Sequence, residues 1–306
     1  MIQDQKPRWA LLVLVAGVCA TSWAAIFVRL AGEAPALTMA AYRMAIATAV
    51  LLAVAAWGVW ARRDHPPHPG QLPLLALSGV LLAGHFWSWF ASLERTSVAS
   101  SVVIVGMQPL LGGVLGFLFL GESPRRTEYI GIALALVGLL IIGGRDLAAS
   151  PGALGGDLLA FLGGFLAASY RTVGRVLRPS MSAAIYSATV YAVAAGVLWL
   201  LVLATRPQVA HFEPKTWTFI LLLGLIPQVV GHTAFNWALA HFRVVTVSLA
   251  NVGEPVTATL LAIPILGERP SLALWAGGPL ILAGVVVGLW GSSTSQSGSR
   301  TECLEP

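Results

Sequence analysis

Residues 105–124 read VGMQPLLGGVLGFLFLGESP, and residues 251–270 read NVGEPVTATLLAIPILGERP. Each is a greasy run interrupted by a polar residue and a proline: Gln108-Pro109 in the first, Glu254-Pro255 in the second. In both, eleven residues separate that proline from a Gly-Glu-x-Pro turn, Gly121 to Pro124 and Gly267 to Pro270. The stretches lie 146 residues apart, and the offset holds beyond them. Arg29 falls on Arg175, Gly131 on Gly277 and Gly138 on Gly284, while His85 meets His232 with one residue of slippage. A train of matches at one offset marks an internal duplication.

The duplicated material is membrane-spanning. The 306 residues are 57% hydrophobic and 10% charged, whereas a soluble domain carries about 25% charged residues. A soluble fold of this size would lack a polar skin. Apolar runs of about 20 residues recur along the chain, each long enough to cross a ~30 Å hydrocarbon core as a helix. Ten such spans are expected: 9–30, 36–60, 72–93, 97–119 and 127–144, then 154–176, 182–204, 216–239, 244–266 and 271–290. Turn chemistry separates them, with glycine ending one helix and proline opening the next. The expected fold is therefore an all-α membrane protein. Five spans per copy is an odd number, so the second copy enters from the opposite side. The ten transmembrane helices form two inverted-topology five-helix repeats, residues 1–146 and 150–291, followed by a disordered polar tail at 292–306. Inverted repeats are a hallmark of secondary transporters, and channels share them.

Charge placement orients the bundle. With both termini cytoplasmic, eleven Lys and Arg residues flank the spans inside (Lys6, Arg62, Arg125, Arg171 and Arg175 among them) against six outside. Orientation accounts for the positive net charge without a nucleic-acid partner. Cys19 lies in the first span and Cys303 in the tail, so neither a disulfide nor a metal site is expected. No cofactor is implied. The apolar run after Lys6 and Arg8 is too long for a signal peptide and is read as retained.

Ten spans, two five-helix repeats and the paired P-x(11)-G-E-x-P patterns resemble the drug/metabolite transporter superfamily, EamA type, over roughly residues 9–290. The resemblance implies a carrier of small metabolites in the bacterial inner membrane. Within that family the chain resembles aromatic amino-acid exporters similar to YddG.

The polar residues inside the spans are the candidate site. Pro109 and Pro255 each remove a mid-helix hydrogen bond, to the carbonyls of Val105 and Asn251, and are expected as hinges. They read either as packing kinks or as bends lining a wet cavity. A charge at the bilayer centre costs about 2.5–3.5 kcal/mol on insertion scales, so Glu254 must face the interior. Ser248, Asn251, Glu254 and Pro255 share its helix face. Its repeat mate is the neutral Gln108. Arg43 lies about 12 Å into span two at 1.5 Å per residue, able to pair with Glu254 or to fork a substrate carboxylate. Span eight carries a polar stripe, Gln228, His232 and Asn236, and span three answers with Ser78, His85, Ser88 and Trp89. Each histidine reads as a packed residue or as part of the pathway. Trp237 and Tyr170 complete an aromatic, mildly polar cavity. Glu122 and Glu268 are expected to cap the helices that follow them.

These residues suggest a secondary transporter exporting small amphipathic metabolites, amino acids first. Arg43 would meet a carboxylate, Glu254 and Asn251 an ammonium, Trp89 and Trp237 the side chain. Protons are a candidate coupling ion. The alternatives are export of cationic drugs and antiport of sugar phosphates or nucleotide sugars. An embedded enzyme is disfavoured, because the sequence shows no HExxH, no Cys/His cluster and no carboxylate pair at working spacing.

Overall fold

The computed structural model describes residues 7, 9–32, 34–93, 95–96, 98–149, 154–267 and 272–293. Among them there is no strand, and ten helical spans follow in order. The first repeat holds α1 (Ala10–Thr21) with α2 (Trp23–Ala31), α3 (Ala36–Trp60), α4 (Leu72–Leu93), α5 (Val98–Val105) with α6 (Gln108–Leu120), and α7 (Arg126–Ala149). The second holds α8 (Leu154–Leu177), α9 (Ala183–Thr205), then α10 (Pro214–Leu223), a π-helical segment (Gly224–His232) and α11 (Thr233–Ala238) as one span, α12 (Val244–Asn251) with α13 (Glu254–Leu266), and α14 (Leu272–Ser293). Span ends agree with expectation to within a few residues. The Glu268–Pro270 turn and tail residues 294–306 lie outside the described residues.

Among the described residues, nine spans are long and apolar enough to cross a membrane by length and composition. The tenth, α8, carries Asp157, Arg171 and Arg175 within its 24 residues. Its small residues, such as Ala160, Gly163, Gly164, Ala167 and Ala168, are buried against the bundle. Its large ones, Leu154, Leu158, Phe161 and Phe165, are exposed. A membrane helix puts small residues at helix contacts, because only there can backbones approach closely.

The inverted symmetry is visible where α7 crosses α14. Gly131 backs onto Gly284, and Gly138 onto Gly277; a Cβ on Gly131 or Gly138 would stand 2.5 Å from the partner's carbonyl oxygen. Gly131 and Gly277 are repeat mates, as are Gly138 and Gly284. Each contact is thus exchanged for the other by a twofold axis, as in any isologous interface.

The bundle has two ends. At the terminal face, Trp9 stacks on Trp237 at 4.8 Å, and Arg243 donates to the Ser123 carbonyl at 2.8 Å. At the opposite face, Thr38 donates to the Gln208 carbonyl and Thr216 to the Ala31 carbonyl, both at 2.8 Å.

The prolines do something other than kink a continuous helix. Spans four and nine are each broken into two helices, and the break precedes the proline. Met107 N donates to Ile104 O, and Val252 N to Leu249 O, both at 3.1 Å, so the chain tightens to i→i+3 bonding there. Pro109 and Pro255 then sit in the first turn of α6 and α13. A first-turn proline lacks an N–H that would have had no helical partner anyway.

The expected one-residue slippage at His232 also has a structural counterpart. The Gly224–His232 segment is π-helical and contains Pro227. A π-turn absorbs an inserted residue without ending the helix.

Candidate functional site

The broken spans meet at mid-bundle beside a cavity enclosing about 910 Å³ of space, its open mouth included. Its walls come from α2, α3, α4, α5, α6, α8, the π-helical segment, α12 and α13.

Two arginines dominate it. Arg43 is 2% exposed, donates from Nε to Gln228 Oε1 at 2.7 Å and lies 4.7 Å over the Phe86 ring. Phe86 also packs against His85 at 5.0 Å and His232 at 5.6 Å, so the two repeat-related histidines flank one ring. His85 Nδ1 is 2.9 Å from the Gly163 carbonyl, and its ring lies parallel to Trp89 at 6.3 Å. No ion pair joins Arg43 to Glu254 among the described residues; Gln228 and Phe86 hold the guanidinium instead.

Arg171 is the second arginine, also 2% exposed and lining the cavity. It donates to Gln108 Oε1 at 2.5 Å and to Ser248 Oγ at 3.3 Å. The charge count placed Arg171 among the flanking cations, because it stands six residues before the end of α8. Its side chain instead lies buried in the bundle and lines the cavity. A helical side chain tilts back toward its own N-terminus, which carries the guanidinium into the bundle. Helical phase was the available signal: Gly164, Ala167 and Ala168 lie one and two turns before it, on the face opposite the large apolar residues.

Glu254 and Asn251 face the cavity from the break between α12 and α13. Nearby, Thr21 donates to the Val18 carbonyl at 3.1 Å, and Ser22 bonds Thr257. Among the described residues, Arg171 Nε, His232 Nδ1 and Asn251 Oδ1 are buried without a hydrogen-bond partner. Buried polar atoms are nearly always paired; these three belong to residues that line the cavity.

Arg43, His85, Trp89, Gln108, His232, Asn251, Glu254 and Pro255 thus line the cavity as a set. The other expected residues stand behind it. Tyr170 is buried, its ring 5.8 Å from the Arg171 guanidinium. Ser248 accepts from Arg171. Asn236 donates to Ser187 and Tyr191, away from the lining. Pro109 is buried in α6. Trp237 is a correction: it sits at the terminal face between Trp9 and His241 and does not reach the cavity. Periodicity put it on the span but could not place it beyond the cavity's floor.

Glu122 also departs from the expectation. Rather than capping α7, it pairs with Arg175 Nε at 2.8 Å, while Glu128 accepts from the Arg125 N–H at that helix start. Arg175 also donates to the Leu239 and Ala240 carbonyls at 2.8 and 3.1 Å, tying α8 to the end of α11. Glu268 lies outside the described residues.

Comparison with known proteins agrees with this architecture. The EamA-like transporter family matches residues 7–144 and again 154–290. An uncharacterized transporter of Archaeoglobus fulgidus is 26% identical, over 83% of this chain and 87% of its own. A "Probable terminal-alkyne amino-acid exporter" of Streptantibioticus cattleyicolor is 26% identical, over 92% of this chain and 93% of its own. A crystal structure at 21% identity superposes with a TM-score of 0.78, covering 94% of this chain and 99% of that one, and so shares the fold. The chain belongs to the EamA-like transporter family, as a multi-pass membrane protein of two inverted five-helix repeats.

Proposed function

We propose that the protein is a secondary transporter that exports small amphipathic metabolites, amino acids or their close derivatives first, across the bacterial inner membrane with both termini cytoplasmic. The observation that carries this reading is the asymmetry of the cavity's two ends. At the terminal face α6 packs along α12 and α8; at the other end the repeat-related α13 packs on α2 and α1, but it has no contact with α5 comparable to that of α6 with α12. One end is shut and the other is open, between halves related by a twofold axis. Exchanging the two arrangements would open the site to the other side, which is alternating access. The terminal-alkyne amino-acid exporter among its relatives supports the cargo class.

In this reading Arg43 and Arg171 hold the polar head of the cargo, and Phe86 and Trp89 its apolar body. Pro109 and Pro255 serve as hinges by keeping each half-helix a separate rigid piece. Glu254, His85 and His232 are the groups through which proton coupling would run.

The test is uptake of radiolabelled phenylalanine, leucine and their N-acetyl forms into liposomes holding the purified protein and preloaded with unlabelled compound. Saturable uptake stimulated by the preload is the expected result. Uptake that rises linearly with concentration and ignores the preload would indicate a pore. No uptake above protein-free liposomes would overturn the cargo assignment.

A further inference from the structure

We infer that the cavity is built for a net anion: a monocarboxylate with an apolar body and no free ammonium, of which an N-acylated amino acid is the best match. This rests on the carrier reading above and narrows its cargo.

The argument begins with charge. Two guanidiniums, Arg43 and Arg171, line the cavity, and arginine stays protonated in proteins. Among the described lining residues Glu254 is the acid, contributing at most one negative charge. His85 and His232 add nothing when neutral and more positive charge when protonated. The lining is therefore net positive in every protonation state. Helix dipoles do not change this. The N-termini of α6 and α13 point to mid-bundle, but the C-termini of α5 and α12 meet them there, and the opposite partial charges offset one another.

A low-dielectric midplane penalises uncompensated charge. A zwitterion adds no net charge, so the site stays positive with it bound. A cation makes matters worse. A monoanion brings the site to neutrality when Glu254 is ionised. With Glu254 ionised, a dianion would overshoot that balance, which argues against phosphate monoesters.

Hydrogen-bonding capacity points the same way. The cavity offers unused donors in the terminal amino groups of Arg43, which have no partner among the described residues. Planar guanidiniums suit a carboxylate's two oxygens. Acceptors are scarcer. Asn251 Oδ1 is unpartnered, and the Glu254 carboxylate is the one acidic group of the described lining. An ammonium presents three donors, whereas an acylated amine presents one N–H, which the Asn251 carbonyl can accept. Phe86, Trp89, Val102 and Val105 supply the wall for an apolar body.

Three probes with one body separate the possibilities: N-acetyl-phenylalanine (anion), phenylalanine (zwitterion) and phenylalanine amide (cation). Binding to the purified full chain is measured by equilibrium dialysis with radiolabelled probes, independently of transport. The anion should bind about tenfold or more tightly than the zwitterion, with the cation weakest. Arg171→Gln should collapse that preference toward one, and Arg171→Lys should keep it. Should Arg171→Gln fail to fold, Glu254→Gln offers the opposite test, since losing its negative charge should widen the preference. Equal or tighter binding of the zwitterion, or no binding of the anion, overturns the inference. Anion binding without preload-stimulated uptake supports the inference while sinking the carrier reading.

Discussion

Helices α6 and α13 are the same segment in two copies of one duplicated sequence, yet they live in different surroundings. In α6, Gln108, Pro109, Gly112, Gly113, Leu115 and Gly116 are buried; in α13, only Val256 and Ala262 are. The difference has a cause in the residues. Gly112, Gly113 and Gly116 fall, at the 146-residue offset, on Ala258, Thr259 and Ala262. A Cβ on Gly112 would stand 3.2 Å from both Ser248 Oγ and Val244 Cγ1, so α12 comes as close as a glycine allows. At the other end the larger Ala258 and Thr259 occupy the matching places, and α5 stays away. The ion pair of Arg175 with Glu122 lies at the closed end. Small side chains on α6 thus permit a close helix contact at one end of a nearly symmetric frame.

This comparison can be broken at the closed end. Gly112→Leu should do so most severely, since overpacking typically costs about 1–3 kcal/mol. We expect transport to fall by more than tenfold, and a cysteine at Ser248, in a Cys19→Ser, Cys303→Ser background, to become reactive toward a thiol reagent applied at the terminal face. If that cysteine stays protected, α6 and α12 are not the closure.

Arg175→Ala should come next. It removes the partner of Glu122 and leaves the Leu239 and Ala240 carbonyls without their donor, an effect of about 1–3 kcal/mol if nothing else satisfies them, and less where water reaches. The same Ser248 cysteine should label faster, by less than in Gly112→Leu. An unchanged labelling rate would make the ion pair a bystander.

The comparison can also be sharpened at the open end. The double change Ala258→Gly and Thr259→Gly gives α13 the small surface of α6. It should slow labelling of a cysteine at Val102 by a few-fold, because α5 can then approach. Faster labelling would contradict the role given to residue size. Val114→Ala should have the smallest effect. Val114 is 49% exposed on the outside of α6, and a surface substitution away from contacts usually stays within about 0.5 kcal/mol. Thermal unfolding and transport should both match the parent protein.

Much of this molecule could be read before the structure was known. The 146-residue offset gave the duplication, the odd number of spans gave the inversion, and the cost of burying Glu254 directed it inward. The one-residue slip at His232 carried the π-helical segment, although its form was not foreseen. Other features were not legible. Arg171 looked like a flanking cation because distance from a helix end is one-dimensional, whereas the direction of a long side chain is not. Trp237 and Asn236 share a span with His232, but only packing assigns Trp237 to Trp9, Asn236 to Tyr191 and His232 to Phe86. Glu122 resembled a helix cap, and its true partner lies 53 residues away along the chain.

By itself, the sequence determined the class, the repeats and the inventory of polar groups that lipid could not accommodate. Those properties follow from local composition and periodicity, since a bilayer penalises each exposed charge or unbonded backbone group wherever it occurs. Only the tertiary structure decided which polar groups share the cavity, which end is shut and that the lining is net positive. Those are relations between distant residues, set by how closely helix backbones approach, and local composition does not specify them.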